Sequence, residues 1–246
     1  LVRGVGSTEE GSPVSQLAAL GWRAEGAVTT VVGSARLDLD PTEALDSVHR
    51  AARRAGFDVL AGVHGGRLVV VLGGITDALD AAKAVLQEFD DAPVVVGGSA
   101  PRIEGAAEVT ATALSGLRAV PGWPGAPRPV SADDLLPERT IAGDLGARHE
   151  LIETVYQPLV EAGEVLLDTV VSYLDGGRAL EATARALFVH TNTVRYRLRR
   201  AAELCGHAPT DARGAFTIQL ALVVGRLSGY GAGRPAGQQP DGPQGG

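Results

Sequence analysis

The chain has 246 residues, of which 45% are hydrophobic, 21% are charged and one is a cysteine. This composition provides apolar side chains for one or two buried cores, and it excludes a fibrous protein, an internal disulfide and a zinc cluster built on cysteines. The formal net charge is −7, no apolar run approaches the roughly 18 residues of a membrane span, and the amino end has no secretory pattern, so we expect a cytoplasmic protein without membrane contact.

The two ends of the chain differ in composition from the rest. The chain begins at Leu1 and contains no methionine, so we expect an amino-terminal portion to be missing and residues 1–20 to be a flexible segment. Residues 228–246 consist mostly of Gly, Pro and Gln without apolar periodicity, which predicts a disordered tail. The buried cores are therefore expected between residues 21 and 227.

The first half of the chain predicts an α/β domain over residues 21–136. Short β-branched runs predict strands, and apolar residues spaced by three and four predict helices. In chain order the predicted elements are a strand at 27–33, a helix at 41–55, strands at 58–63 and 68–72, a helix at 77–89, a strand at 93–97, a helix at about 106–119 and a short strand near 129–130. The order βαββαβ is that of a ferredoxin-like or cyclase-like fold.

Glycine pairs punctuate the predicted strands. Gly65-Gly66 joins the two middle strands, and the tolerance of glycine for positive φ predicts a tight hairpin. We interpret Gly73-Gly74 and Gly97-Gly98 as strand-ending turns and not as phosphate-binding backbone, because no Walker-type lysine and no Rossmann glycine pattern accompanies them. The histidines lack metal-ligand spacing and no serine lies in a nucleophile-elbow sequence, so we predict no catalytic residue, no metal and no cofactor.

A stiff connector and a bridging helix follow the α/β domain. Residues 121–129, PGWPGAPRP, form the connector, although the α/β domain is expected to continue to residue 136. A bridging helix is predicted within 137–163, with an apolar stripe that either packs within the chain or pairs two chains. We favour packing within the chain, which assigns dimerisation to the α/β domain or to the missing portion. The stripe comprises Leu151, Ile152, Val155 and Leu159.

Residues 164–227 predict a helical DNA-binding domain. Helices are predicted at about 165–175, 178–187 and 211–227, and a basic helix begins after the short turn at 188–190, with Thr191 as its N-cap. Residues 178–204 carry six arginines and two glutamates, a local charge of +4 in a chain whose first 177 residues are strongly acidic. A helix, a turn and a second, basic helix form the arrangement of a DNA-binding helix-turn-helix.

Helical spacing divides the basic helix into a packing face and a reading face, at about 100° per residue. The packing face comprises Val194, Leu198 and Ala201. The reading face comprises Asn192, Tyr196 and Arg199, flanked by Arg195 and Arg200. Arg197 lies nearer the packing face, so we expect it to serve a phosphate or an internal ion pair. Cys205 is interpreted as a small buried hydrophobe. Charge alone leaves a merely solvated amphipathic helix as the alternative.

The run from His190 to Leu198, HTNTVRYRL, resembles the signature of the C-terminal helix-turn-helix of PucR/CdaR-type bacterial transcription regulators. The resemblance covers roughly residues 150–227. It implies a transcription regulator that binds double-stranded DNA, that is not an enzyme, and that we expect to form a dimer or a larger homo-oligomer. We transfer DNA contact only to positions inside the matched motif. These are Thr191, Asn192, Thr193, Arg195, Tyr196, Arg199 and Arg200.

Regulators of this type commonly carry a degenerate relative of the diguanylate cyclase domain before the DNA-binding module, and the predicted α/β layout is similar to it. In an active cyclase the turn between the middle strands holds two glycines followed by acidic residues that bind metal and substrate. Here Gly65-Gly66 is followed by Arg67 and Leu68, which offer no carboxylate for two-metal phosphoryl transfer. The resemblance therefore implies a degenerate, GGDEF-like α/β domain followed by an all-α domain.

Four segments are similar to the FasR-type members of this family, which are actinobacterial activators of fatty acid synthase genes. They are residues 21–30 (GWRAEGAVTT), 67–74 (RLVVVLGG), 133–139 (DDLLPER) and 187–190 (LFVH). This resemblance implies activation of fatty acid biosynthesis genes. The alternatives are a regulator of another metabolic operon that responds to a small-molecule effector, and a metabolite- or nucleotide-binding module without specific DNA binding.

Overall fold

The computed structural model describes Trp22 and residues 25–229. The predicted flexible segment 1–20, and the predicted tail from residue 230 onward, lie outside the described residues. The chain divides into two compact units, and the boundary lies between Ala142 and Gly143. Within the described residues, no helix is both long enough and apolar enough to cross a lipid bilayer.

Over the residues that the structure describes, the first unit is built on a five-stranded mixed sheet. In chain order its strands are β1 (Val28–Ser34), β2 (Asp58–His64), β3 (Arg67–Gly73), β4 (Val95–Ala100) and β5 (Val130–Ser131). Their spatial order is β2-β3-β1-β4-β5. All neighbours pair antiparallel except β4 and β5, which are parallel. The predicted α/β architecture, with its short fifth strand, is confirmed.

Within the described residues, the helices that accompany the sheet are α1 (Pro41–Arg54), α2 (Ala78–Val85), α3 (Ala106–Ala119) and α4 (Leu136–Ile141). A capping box starts α1, because the Asp40 side chain accepts hydrogen bonds from the backbone of Thr42 and Glu43, at 2.8 and 3.0 Å. The predicted helix at 77–89 is shorter than expected. It leaves α-helical geometry after Val85 and continues as one 3₁₀ turn.

Helices cover both faces of the sheet. Val48 of α1 and Val85 of α2 are fully buried in the same cluster as Leu68, Val70 and Leu72 of β3. On the opposite face, α3 packs over the sheet in two smaller clusters. The two faces thus form separate apolar cores, whereas the β-branched strand sequences predicted helices on at least one face.

The glycine pairs have three different roles. In the hairpin, φ is +56° at Gly65 and +75° at Gly66, so the predicted tight turn is confirmed. Gly73 ends β3 and Gly74 has φ of +76°, as expected of a strand-ending turn. The prediction for Gly97-Gly98 was wrong, since both lie inside β4. A Cβ atom at Gly97 would lie 2.5 Å from the Val109 carbonyl oxygen, so this glycine permits the close approach of α3.

The second unit is helical. Its elements are α5 (Leu145–Leu151), a π-helical segment (Ile152–Tyr156), α6 (Gln157–Glu161), α7 (Glu164–Asp175), α8 (Leu180–Ala186), α9 (Thr191–Cys205) and α10 (Ala212–Leu227). Residues 137–163 therefore do not form one bridging helix. The helical run is interrupted between α4 and α5, where Gly143 has φ of +88° and the Asp144 side chain caps α5 by accepting from the Ala147 N–H at 3.0 Å.

The apolar stripe on α5, the π-helical segment and α6 packs inside the chain. Leu151, Val155 and Leu159 are fully buried and Ile152 nearly so. The π-helical segment contacts α10, where a Cβ atom at Gly225 would lie 2.3 Å from the Tyr156 ring. Packing within the chain is thus confirmed, and the stripe is not a free surface for pairing two chains.

Candidate nucleic-acid interface

Helices α8 and α9 form a helix-turn-helix, and α7 packs against both. The packing face of α9 is buried as predicted, with Val194 and Ala201 fully inaccessible and Leu198 2% exposed. Cys205 extends the same face at 5% exposure, which confirms its interpretation as a buried hydrophobe. Burial raises the pKa of the Cys205 thiol. One face of α9 therefore packs against the helical unit, and the opposite face is exposed to solvent.

The N-terminus of α9 is capped one residue earlier than predicted. Helix α9 begins at Thr191, and its N-cap is His190, whose Nδ1 accepts a hydrogen bond from the Asn192 N–H at 3.1 Å. Thr191 was predicted as the cap because threonine is a common capping residue. An imidazole nitrogen can accept the same bond, and the extended backbone of His190 directs it toward the first turn.

The predicted reading face of α9 is exposed to solvent. Asn192, Tyr196 and Arg199 are all exposed, and Tyr196 exposes 67% of its surface. Among the residues that the structure describes, no hydrogen bond or ion pair holds the Arg199 guanidinium. Thr191 and Thr193, the remaining threonines of the motif, are half-buried at the start of the helix.

Among the described residues, the two flanking arginines bond only to side chains of α9 itself. Arg195 Nη1 donates to Asn192 Oδ1 at 2.9 Å, so these two side chains are oriented together on the first turns of α9. Arg200 Nη1 lies 3.2 Å from Glu203 Oε2 in an exposed pair three residues apart. Exposed ion pairs of this kind contribute at most about 1 kcal/mol, so a phosphate can displace Glu203 from Arg200.

Arg197 faces the interior of the helical unit. Its Nη1 donates to the Thr169 hydroxyl on α7 at 3.1 Å, and the Thr169 hydroxyl in turn donates to the Val165 carbonyl at 2.7 Å. The sequence predicted a phosphate contact or an internal ion pair for Arg197. The observed internal partner is a neutral hydroxyl and not a carboxylate, so Arg197 ties α9 to α7.

The turn between α8 and α9 contains a residue that the sequence reasoning missed. Phe188 is 95% exposed and has φ of +53°. Its N–H bonds to the Arg185 carbonyl, and the Val189 N–H bonds to the Ala184 carbonyl, at 3.2 and 3.0 Å. This pair of bonds defines a Schellman motif with Phe188 at the left-handed position, where glycine is usual. No periodicity or charge pattern marks such a residue in the sequence.

The described part of the α/β unit contains no helix-turn-helix with a comparable exposed basic face. The hairpin positions His64 and Arg67 pair across the strand ends, and no carboxylate follows Gly66. Within Trp22 and residues 25–229, no group of three His, Cys, Asp or Glu side chains is arranged to hold a metal ion.

Two domain families match the chain. Residues 166–224 match the PucR C-terminal helix-turn-helix domain, and residues 5–119 match the GGDEF-like domain. The first match spans α7 to α10 and includes every residue of the predicted reading face. The second ends with α3, so it covers most of the first unit.

Relatives of known sequence cover different shares of the chain. An uncharacterized protein of Mycobacterium tuberculosis and one of Mycobacterium bovis are each 42% identical over 223 residues, which is 87% of this chain and 54% of each relative. The chain thus spans about half the length of these curated relatives. The purine catabolism regulatory protein of Bacillus subtilis is 40% identical over 62 residues, 25% of this chain and 12% of that protein.

A solved structure resembles the chain over most of both lengths. The regulator of polyketide synthase expression from Bifidobacterium adolescentis superposes with a TM-score of 0.74 at 34% sequence identity. The match covers 87% of this chain and 86% of that one.

Proposed function

Because the chain belongs to the PucR-type family of helix-turn-helix regulators, we propose that it is a sequence-specific DNA-binding regulator of transcription. The observation that carries this proposal is the division of α9 into a fully buried apolar face and an exposed basic face. A solvated surface helix also exposes charges, but here the exposed face belongs to the second helix of a helix-turn-helix, which is the helix that enters the major groove.

In the proposed complex the side chains of α9 divide their tasks. Asn192, Tyr196 and Arg199 face the base edges, since they lie on the side opposite the packing face. The guanidinium of Arg199, unpaired within the described chain, is suited to bidentate bonding with guanine. Arg195 and Arg200 lie on the flanks and neutralise phosphates, while Thr191 and Thr193 contact DNA at the start of the helix.

Charge distribution supports a directed encounter with DNA. The chain as a whole has a net charge of −7, whereas residues 178–204 carry +4. An acidic body is repelled by the phosphate backbone and the basic face is attracted to it, which orients α9 toward the duplex. We propose that the regulator binds as a dimer or a larger homo-oligomer to repeated half-sites in the cytoplasm.

We further propose that the regulated genes belong to fatty acid biosynthesis and that the protein activates them. The support is the similarity of four sequence segments to the FasR-type activators. Two of the proteins named above are regulators of purine catabolism and of polyketide synthase expression, and this favours a second candidate, control of another metabolic operon. A response to a small-molecule effector belongs to this second candidate as a proposal.

In this proposal the α/β unit, over residues 21–136, is a non-catalytic regulatory domain and residues 164–227 are the DNA-binding domain. The antiparallel order β2-β3-β1-β4 supports a ferredoxin-like assignment for the former. The absence of a carboxylate after Gly65-Gly66 supports a degenerate cyclase-like domain without GTP turnover.

The first test is selection from a random double-stranded DNA pool across a salt series, followed by sequencing of the retained fraction. Specific recognition predicts an enriched motif whose affinity falls steeply with salt, and the half-site spacing in that motif reports the oligomer geometry. Salt-sensitive retention without enrichment would contradict specific binding by this chain. Retention insensitive to both sequence and salt would favour a metabolite- or nucleotide-binding module.

A further inference from the structure

The exposed Phe188 side chain is held in a backbone conformation that favours glycine. It occupies the left-handed position of the Schellman motif that ends α8, with φ of +53°. A Cβ atom is disfavoured in this region for any L-residue, and large side chains are found there rarely. Local stability would therefore favour glycine at residue 188.

Within the described part of the chain, the Phe188 ring gains almost no packing in return. Phe188 is 95% exposed, the most exposed large apolar residue that the structure describes. The apolar contact that usually accompanies a Schellman motif is available to Val189, which is half-buried, and Ala184, which is buried. Backbone strain that is not offset within the fold is typical of residues that act on a partner.

The surroundings of Phe188 indicate which partner. Phe188 lines an open groove together with Thr191, the first residue of α9, and with Arg185, Glu181 and His190. The groove is thus continuous with the proposed DNA-binding face. Its one guanidinium and one carboxylate cancel in charge, so an apolar contact suits the groove better than a phosphate does.

We propose that Phe188 is a further DNA-contacting residue, whose ring packs against apolar groups of the duplex beside the N-terminus of α9. DNA offers such groups at the 5-methyl of thymine, which carries sequence information, and at the deoxyribose, which does not. This inference rests on the proposed function and extends the contact surface from α9 into the turn before it.

The experiment compares Phe188→Gly, Phe188→Tyr and the wild-type chain on the DNA motif recovered by selection. Phe188→Gly removes the ring and relieves the backbone, so the melting temperature should stay equal or rise while affinity falls on the order of tenfold. Phe188→Tyr keeps the ring and should bind within about twofold of wild type. Leu145→Ala, which shortens a residue of the same unit that is 77% exposed, is the matched control and should bind as wild type.

Replacement of each thymine by deoxyuridine identifies the group contacted. If one replacement lowers the DNA affinity of the wild-type chain but not that of Phe188→Gly, the ring contacts the methyl group of that thymine. If no replacement affects the wild-type chain differently from Phe188→Gly, and Phe188→Gly still binds more weakly, the ring contacts deoxyribose. Undiminished binding by Phe188→Gly, or an equal loss in Leu145→Ala, would overturn the inference alone. Failure of the wild-type chain to enrich any motif would overturn the proposed function with it.

Discussion

Two of the turns that contain residues with positive φ differ in the type of residue that occupies them. One is the hairpin between β2 and β3, and the other joins α8 to α9. In the hairpin, φ is +56° at Gly65 and +75° at Gly66. In the helix-turn-helix it is +53° at Phe188, where a Cβ atom costs about 1–2 kcal/mol. The hairpin therefore avoids strain, whereas the helical turn accepts strain and exposes an aromatic ring.

This difference separates a turn that only connects two strands from a turn that presents a side chain to a partner. The hairpin is the position at which an active cyclase would hold its acidic residues, and here it is only a tight connection between two strands. The helical turn presents Phe188 and leads directly into the exposed basic face of α9. We therefore expect changes in the hairpin to alter the stability of the α/β unit, and changes around α9 to alter DNA binding.

The largest effect is expected from Leu198→Asp, which disrupts the packing of α9 against the rest of the helical unit. Leu198 is 2% exposed, so the new carboxylate would be buried without a partner, at a cost of about 3–5 kcal/mol in the free energy of unfolding. Amide hydrogen exchange should show loss of protection in α8 and α9, with loss of DNA binding. Leu198→Met keeps the volume and should retain both, so equal damage from the two substitutions would contradict this explanation.

Next in size is Arg199→Ala, which tests the reading face directly. Removing a base contact should cost about 1–3 kcal/mol of binding free energy and relax the preference at one base position. Arg200→Ala should weaken all sequences alike and reduce the salt dependence of binding, because it removes a phosphate contact. Selection with both variants distinguishes them, and a uniform loss at every sequence from both would refute the proposed division of tasks.

Gly66→Val tests the other side of the comparison. A β-branched residue at φ of +75° should lower the free energy of unfolding of the α/β unit by about 1–3 kcal/mol. Gly66→Asn is the control, since asparagine tolerates this conformation better. DNA affinity should remain within about twofold in both variants. A neutral Gly66→Val would show that the hairpin does not depend on glycine.

A smaller effect is expected from Arg197→Ala. This variant loses the 3.1 Å bond to Thr169, whose hydroxyl still donates to Val165, so no buried donor is left without an acceptor. We expect a loss of about 1 kcal/mol in chemical denaturation and an unchanged base preference. Thr169→Val removes the same bond from the other partner, and the double mutant should show that the two losses are not additive.

The smallest effect is expected for the ionisation of the Cys205 thiol, which should change the alkylation rate and the free energy of unfolding as the pH rises. Burial raises the pKa of this thiol, so alkylation of the native protein should be slow and its rate should rise at higher pH than in the unfolded chain. Because the folded-state pKa is raised, the contribution of Cys205 to the free energy of unfolding is complete below the ordinary thiol pKa and is lost as the pH rises through the folded value. Native alkylation at the unfolded rate would show that the thiol is accessible.

Much of the fold followed from patterns within single elements. Runs such as LVVVL at 68–72 predicted buried strands, and apolar spacing predicted the packing face of α9 at Val194, Leu198 and Ala201. These predictions hold because a strand repeats every two residues and a helix every 3.6, so the buried side of each element is encoded locally. The exposure of Asn192, Tyr196 and Arg199 follows from the same arithmetic.

Other features depended on neighbours that the local pattern does not contain. Gly97 and Gly98 look like a strand end, yet both lie inside β4, and a Cβ atom at Gly97 would lie 2.5 Å from the Val109 carbonyl oxygen of α3. His190 caps α9 in place of Thr191, since its backbone is extended and its Nδ1 accepts the Asn192 N–H, a geometry that residue type alone does not indicate. The sequence by itself determined the elements and their faces, through periodicity. Only the tertiary structure decided that Gly97 allows close packing and that no neighbouring element covers the Phe188 ring among the described residues, because both depend on how separate elements pack together.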